Sequence, residues 1–356
     1  MIDLTLSNPT QAGFDYPEEI EEILGRAGGG MGYRPQAAGL PEARRAIQGY
    51  YADKGIGVET EQLLLTASTS EAYGFLFKLL ADPGDELLVP RPSYPLFEFL
   101  AGLEGLETRS YPLRYGGAGW EVDVDRLAAA IGERSRAIVL VSPNNPTGSF
   151  VKRQEREDIE ALSRECGLAL IADEVFADYT LDAGQERGSF AAATDLLTFT
   201  LSGLSKVLGL PQLKLSWIVI QGPEKERHEA LARLEVIADT YLSVGTPIQE
   251  GLPELLRLRE GIQKQIGERI RGNLAFLKER IANLKNVRLL ACEGGWYAVL
   301  KVEEDEERLA LELLEEGLFV HPGFFFDFTR EGFLVLSLLP EDFPEGVERL
   351  AKHLVK

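Results

Sequence analysis

One lysine stands in a stretch suited to hold it. Thr200-Leu201-Ser202-Gly203-Leu204-Ser205-Lys206 ends an apolar run, Leu196 to Leu201, and Lys214 follows eight residues later. The run reads as a buried strand that stops at small polar residues. An amine placed there, with Gly and Ser beside it, can sit in a cleft with little bulk around it. Desolvation lowers its pKa and suits it to form a Schiff base with a carbonyl compound. The same residues also fit a surface lysine after a strand, because short motifs match by chance. Other apolar runs end in polar groups as well. Ser142-Pro143-Asn144-Asn145-Pro146-Thr147-Gly148 follows Ile138 to Val141. An Asn-Pro pair makes a rigid turn and can fix an amide over a strand end. Asp173 follows Leu168 to Ala172; it is either a buried acid that needs a partner or a helix N-cap. Ser68, Thr69 and Ser70 open a helix, either as caps or as a cradle for a phosphate at its N-terminus.

The elements that must position these groups alternate. Leu63-Leu64-Leu65, Glu86 to Val89, Ala137 to Val141, Leu168 to Ala172, Leu196 to Leu201 and Trp217 to Ile220 read as strands. Glu71 to Ala81, Tyr94 to Leu103 and Lys152 to Cys166 read as helices between them. Apolar strands separated by helices predict an α/β fold with a mainly parallel central sheet covered on both faces. Ligands bind at the carboxyl ends of strands in such sheets, where all the polar turns fall. Leu40 to Tyr51 reads as a helix, and Glu224 to Tyr241 and Leu252 to Leu284 as long amphipathic helices. The remainder, from about 286, alternates strand and helix as a small α+β domain. The expected division is 36–250 for a large α/β domain, and 1–35 with 251–356 for a small domain closing over the site.

The chain has 356 residues and a formal net charge of −20, which argues against nucleic acid or an anionic membrane as partner. Two distant cysteines and three histidines give no metal-ligand cluster. No apolar run nears the roughly 18 residues of a membrane span, and the N-terminus lacks the pattern of a signal peptide. The expected location is the cytoplasm. The glycine run at Gly28 to Gly32 lacks the Lys-Ser/Thr of a phosphate loop, so it reads as a flexible connection.

Taken in order, Asn145, Asp173, Lys206 and Lys214, each after its own strand, resemble the site of the fold type I pyridoxal phosphate aminotransferases of class I/II. The likeness runs from Ser7 to Ser337. It implies the three-layer fold of that family, with pyridoxal 5'-phosphate as cofactor. Lys206 would then form the internal aldimine and move the proton of the substrate Cα. Asp173 would keep the cofactor ring nitrogen protonated, and Asn145 would bond the ring oxygen. Ser68, Thr69, Ser70 and Lys214 would hold the phosphate, with the hydroxyls of Ser202 and Ser205 as further donors. Tyr94 would stack on the ring; it also fits a core tyrosine at a helix start. The stretch Tyr33 to Arg44 resembles the segment whose tyrosine reaches the phosphate of a neighbouring subunit, which implies a homodimer with shared sites. Gly294 to Tyr297 and His321 to Phe326 resemble segments that close over the substrate.

Three positions depart from the family. Phe176 stands where a tyrosine usually donates to the ring oxygen. Lys214 stands where an arginine usually forks the phosphate. Val335 stands where an arginine usually holds the substrate carboxylate, so Arg34 becomes the first candidate clamp, Arg330 a weaker one, and Asn8 a further substrate contact. The expected activity is transfer of the amino group of an L-amino acid to a 2-oxo acid. A lyase or decarboxylase on the same scaffold, a non-catalytic sensor and a nucleotide-binding protein are the alternatives.

Overall fold

The computed structural model describes residues 1–26, 33, 35–182 and 188–355. Its strands are β1 (Ile2–Asp3), β2 (Leu63–Thr66), β3 (Glu86–Arg91), β4 (Glu107–Gly116), β5 (Gly119–Val122), β6 (Ser135–Val141), β7 (Ala169–Asp173), β8 (Thr198–Gly203), β9 (Ser216–Gln221), β10 (Val287–Leu289), β11 (Tyr297–Val302), β12 (Leu318–Phe319), β13 (His321–Pro322) and β14 (Phe333–Ser337). The helices in the first half are α1 (Glu19–Arg26), α2 (Pro41–Ala52), α3 (Thr69–Leu80), α4 (Phe97–Leu103), α5 (Val124–Ala130) and α6 (Arg153–Cys166). They continue with α7 (Leu204–Val207), α8 (Glu224–Tyr241), α9 (Thr246–Leu255), α10 (Arg259–Ile281), α11 (Glu306–Glu315) and α12 (Phe343–Leu354).

Eight strands form one sheet in the order β2-β9-β8-β7-β6-β3-β4-β5. The centre, β8-β7-β6-β3-β4, is parallel throughout. Strands β8, β7, β6 and β3 are buried on both faces, so alternate residues feed two separate cores. On β6, Ile138 and Leu140 join one core, while Ala137, Val139 and Val141 join the other. Helices α3, α4 and α8 supply the second core through Phe75, Leu76, Phe97 and Leu234. Helices α2, α6, α9 and α10 supply the first through Ile47, Ile159, Leu252 and Ile266. This is the three-layer α/β arrangement that the run of apolar strands predicts. A second sheet, β10-β11-β14-β13, is antiparallel, and β1 pairs with β12, which ties the first residues of the chain to its last quarter.

Four elements differ from expectation. The hairpin β4–β5 was not expected, because β4 alternates exposed charge with buried Tyr111 and Leu113 at the sheet edge and lacks a continuous apolar run. Strand β9 runs antiparallel to both β8 and β2. Helix α4 begins at Phe97 rather than Tyr94, since a residue before proline, here Pro95, disfavours helical backbone. The long helix expected over 252–284 is two helices joined by a 3-10 turn at Leu256–Leu258, just after Pro253 removes a backbone donor.

The close approach of β8 and β9 demands a residue without a side chain. Gly203 faces Ser216 in register, and a Cβ at Gly203 would lie 2.2 Å from Ser216 Oγ and 3.0 Å from its Cα. The backbone there is extended (φ 178°), so the constraint is space and not conformation. Gly203→Ala should cost about 1–3 kcal/mol by overpacking. Urea unfolding measures it, and an unchanged midpoint would refute the account.

Candidate active site

Strands β6, β7 and β8 and the N-terminus of α3 converge on one edge of the large sheet. Between them lies a cleft of about 360 Å³. Asp173 ends β7 and lines it. Lys206 follows three residues after β8, in α7, and lines it too. The backbone carrying Lys206 is fixed from three sides. Tyr179 Oη donates to the Lys206 carbonyl at 2.7 Å, Gln263 Nε2 to the Val207 carbonyl at 3.0 Å, and Tyr16 Oη to the Gly209 carbonyl at 2.7 Å. The Lys206 Nζ lies 4.6 Å from the centre of the Trp296 ring and 5.0 Å from that of Phe176.

The two charges are displaced from their ordinary values. Desolvation pushes Asp173 up to about 6, against the hydrogen bonds from Val175 N and Tyr73 Oη and the nearby Lys206 charge. Desolvation brings Lys206 down to about 8, with the Asp173 carboxylate opposing the shift. At neutral pH the acid is mostly ionised, and a usable fraction of the amine is neutral.

The turn after β6 separates two asparagines that the sequence could not. Asn144 is spent on structure. Its Nδ2 donates to the Pro92 carbonyl and to Thr147 Oγ1, and its Oδ1 accepts from Ser93 Oγ. Asn145 lines the cleft, and its buried side-chain oxygen has no partner among the described residues. Ser68, Thr69 and Ser70 line the opposite end. Ser68 also caps α3, accepting from Glu71 N at 3.1 Å while Glu71 accepts from Ala67 N at 2.6 Å. Capping and lining the cleft are therefore compatible. Lys214 faces the same cleft from a left-handed backbone (φ 49°), a conformation that costs a non-glycine residue energy. Tyr94 and Ser205 line it as well.

Four of the named residues are not brought there. Ser202 is buried, but it projects from β8 on the face opposite Leu201 and lines a separate cavity with Tyr51 and Glu174; strand alternation decides this. Asn8 caps the short 3-10 turn that follows it, its Oδ1 accepting from Thr10 N and Thr10 Oγ1, while its neighbour Ser7 lines the cleft. Tyr33 is 77% exposed and borders a shallow pocket with Phe75 and Leu242. Arg330 is exposed and outside the cleft lining. Arg34 lies outside the described residues, as does the whole glycine run Gly28 to Gly32. Val335 is fully buried in β14 opposite Val299, so no cation comes from that strand. Among the described residues, Lys206 and Lys214 are the cations lining the cleft.

Sequence reading missed Tyr73 and Ser7 as cleft residues and named Tyr297 only within a segment that closes over the substrate. Tyr73, one turn into α3, donates to Asp173 Oδ2 at 3.0 Å. Tyr297, from β11, lines the cleft and hydrogen-bonds Ser7. Ser7 sits in the irregular N-terminal segment. Tyr73 carried a signal only as a tyrosine on the inner face of α3, at the spacing of a core residue.

A family model described as aminotransferase class I and II matches residues 1–354. The chain belongs to that family. It is a pyridoxal-phosphate-dependent aminotransferase, which moves an amino group from an amino acid to a 2-oxo acid. Among its relatives, the glutamate-pyruvate aminotransferase AlaA of Haemophilus influenzae is 28% identical, with 99% of this chain and 90% of that protein covered. The alanine aminotransferase of Mycobacterium tuberculosis is 27% identical, covering 100% and 86%. The solved structure of an alanine aminotransferase from Pyrococcus furiosus superposes with a TM-score of 0.91 at 26% identity, covering 99% and 92%.

The residues present fit the cofactor. The cleft offers an unpaired buried amide at Asn145, a buried acid, an amine of lowered pKa, and a helix N-terminus beside a lysine at the end suited to a phosphate. Capture of pyridoxal phosphate by the cofactor-free protein needs the neutral Lys206 amine. Its rate should therefore rise as pH climbs to about 8 and level off above it. Stopped-flow absorbance measures this; a midpoint near 10.5, the value of an ordinary lysine, would refute the shift.

Proposed function

We propose that Lys206 is the residue that holds the cofactor aldehyde and moves the substrate proton, with Asp173 as the acid that would pair with the cofactor ring nitrogen. The observation that carries this is their meeting in one cleft, at the ends of the adjacent strands β7 and β8, with the N-terminus of α3 facing them. When bound, pyridoxal phosphate supplies an electron sink for the carbanion left at the substrate Cα. The Asp173 carboxylate, ionised above about pH 6, holds the ring nitrogen in its protonated form. Neutral Lys206 Nζ takes the proton from Cα, and its protonated form returns a proton. One base so placed contributes about 10²–10⁴ in rate. Asn145 would orient the ring oxygen. Ser68, Thr69, Ser70, Ser205 and Lys214 would hold the phosphate, and Tyr94, which lines the same cleft, would contact the ring. Trp296, Phe176 and Tyr297 exclude water around the amine.

The substrate pair is an L-amino acid and a 2-oxo acid. Alanine with 2-oxoglutarate is the first pair to test, since both relatives above carry names that include pyruvate or alanine. With Val335 apolar, the carboxylate is assigned to Arg34. The division into 36–250 and 1–35 with 251–356 is supported by the two sheets and by the β1–β12 pair. A homodimer is supported by exposed apolar side chains. Phe99 and Leu103 on α4, and Val236 and Tyr241 on α8, are exposed on helices that each pack against α3, and Tyr33 borders a pocket with Ala238 of α8 and Leu242 just after it. Exposed apolar side chains of this size favour a partner surface. Among the described residues no helix is long and apolar enough to cross a membrane, and we assign the enzyme to the cytoplasm.

Kinetics with a panel of amino donors against 2-oxoglutarate and pyruvate test the roles. Lys206→Ala should lower exchange by at least about 10², and borohydride reduction should place the cofactor mass on Lys206 in the unmutated enzyme. Arg34→Ala should raise the amino-acid KM about tenfold or more with little change in kcat. Retained exchange in the first variant, or an unmoved KM in the second, would remove that residue from the scheme. Light scattering should give twice the chain mass of 39.3 kDa; a monomer that is fully active would overturn the shared site.

A further inference from the structure

Asp173 is the most demanding group in the cleft. It is a carboxylate closed off from water, and a carboxylate there must be given hydrogen bonds or it takes up a proton. Two donors reach it. Val175 N bonds Oδ1 at 3.1 Å from the chain that follows β7, and Tyr73 Oη bonds Oδ2 at 3.0 Å from α3. The first is a turn that many strand ends make. The second comes from a different element, a hundred residues earlier.

The Tyr73 ring has little freedom. It is fully buried, tilted against Phe77 at 5.8 Å and edge-on to Phe97 at 5.4 Å. Its hydroxyl is therefore aimed by packing. Burial and the neighbouring carboxylate hold the phenol far above its ordinary range, so it remains a donor at any working pH. It also stands one turn after Ser68, Thr69 and Ser70, on the helix whose start faces the phosphate end of the cleft. One rigid helix thus reaches both ends of the cofactor site.

We propose that Tyr73 is a positioning residue for the reaction, holding the Asp173 carboxylate aimed and ionised under the cofactor ring nitrogen while its own helix presents the phosphate site. The proposal rests on the reading of Asp173 given above. A donor to a carboxylate favours the charged form, so losing it makes the acid take up a proton at higher pH. Among the described residues, the other charged or titratable groups facing the pair or the cleft are Lys206 on α7, Lys214 after β8, Tyr94 before α4, Tyr297 on β11 and Tyr111 on β4; Lys206 is coupled to Asp173 by charge, and the Asp173→Asn background removes that coupling.

The test is the affinity of the cofactor-free protein for pyridoxal phosphate, measured by equilibrium dialysis from pH 5 to 9. It covers the unmutated chain, Tyr73→Phe, Asp173→Asn and the double variant. Tyr73→Phe keeps the ring and removes one oxygen. It should weaken binding about tenfold near pH 6, and affinity should begin to fall about one pH unit higher than in the unmutated protein. In the Asp173→Asn background the same change should have no further effect on the pH profile. Tyr73→Met, also without a donor, should reproduce the shift and covers the case in which Tyr73→Phe does not fold. An unmoved pH profile, or a loss equal at every pH that persists in the Asp173→Asn background, would reduce Tyr73 to a packing residue. An Asp173→Asn protein with unmutated affinity and profile would instead overturn the role of Asp173 itself, and Tyr73 with it.

Discussion

An acid and an amine share one poorly hydrated cleft, and the molecule is arranged to make that tolerable. Burial alone would neutralise both groups. Their mutual attraction and the donors to Asp173 offset part of that cost, and the result is an acid near 6 and an amine near 8. These two values bracket neutral pH. Proton transfer by a lysine at working pH depends on that bracket, since an exposed lysine would be almost wholly protonated. The constraint also explains the density of hydrogen bonds to the backbone around Lys206. Tyr179, Gln263 and Tyr16 come from three distant parts of the chain and grip a segment of four residues.

The departures from the family are filled by packing. Phe176 meets Trp296 and Tyr297 edge to face, making an apolar wall beside the amine. Val335 belongs to the interior of the small sheet, where Val299 lies across from it. Val335 therefore offers the substrate carboxylate no charge. Aromatic hydroxyls take a larger share of the polar work than the sequence pattern implies: Tyr73 on the acid, Tyr297 on Ser7, and Tyr179 on the lysine backbone.

The order of motifs in the chain was enough to determine the fold class, the cofactor chemistry and most of the cleft. The reason is local. A buried strand of a parallel sheet must be apolar throughout, and it must end at the edge where the loops gather. Apolar runs ending in Asn145, Asp173 and Lys206 therefore bring those residues to one edge of the sheet by pattern alone. The N-terminus of α3 was legible for a similar reason, because Ser68 and Glu71 form a capping pair at fixed spacing.

What only the tertiary structure decided is which side chains face the cleft and what holds them there. Ser202 and Lys206 lie four residues apart, yet the first points to the opposite face of the sheet, since a strand reverses its side chains at every residue and the short helix after it does not. Asn144 and Asn145 are neighbours of identical type; the contact with Pro92 and Ser93, far away in the chain, assigns one to the scaffold and leaves the other to the cleft. Tyr73 looked like a core residue and is one, but its hydroxyl finds Asp173 across the layer between α3 and β7. Such pairings depend on how layers stack, and no local pattern in the amino-acid sequence carries that distance.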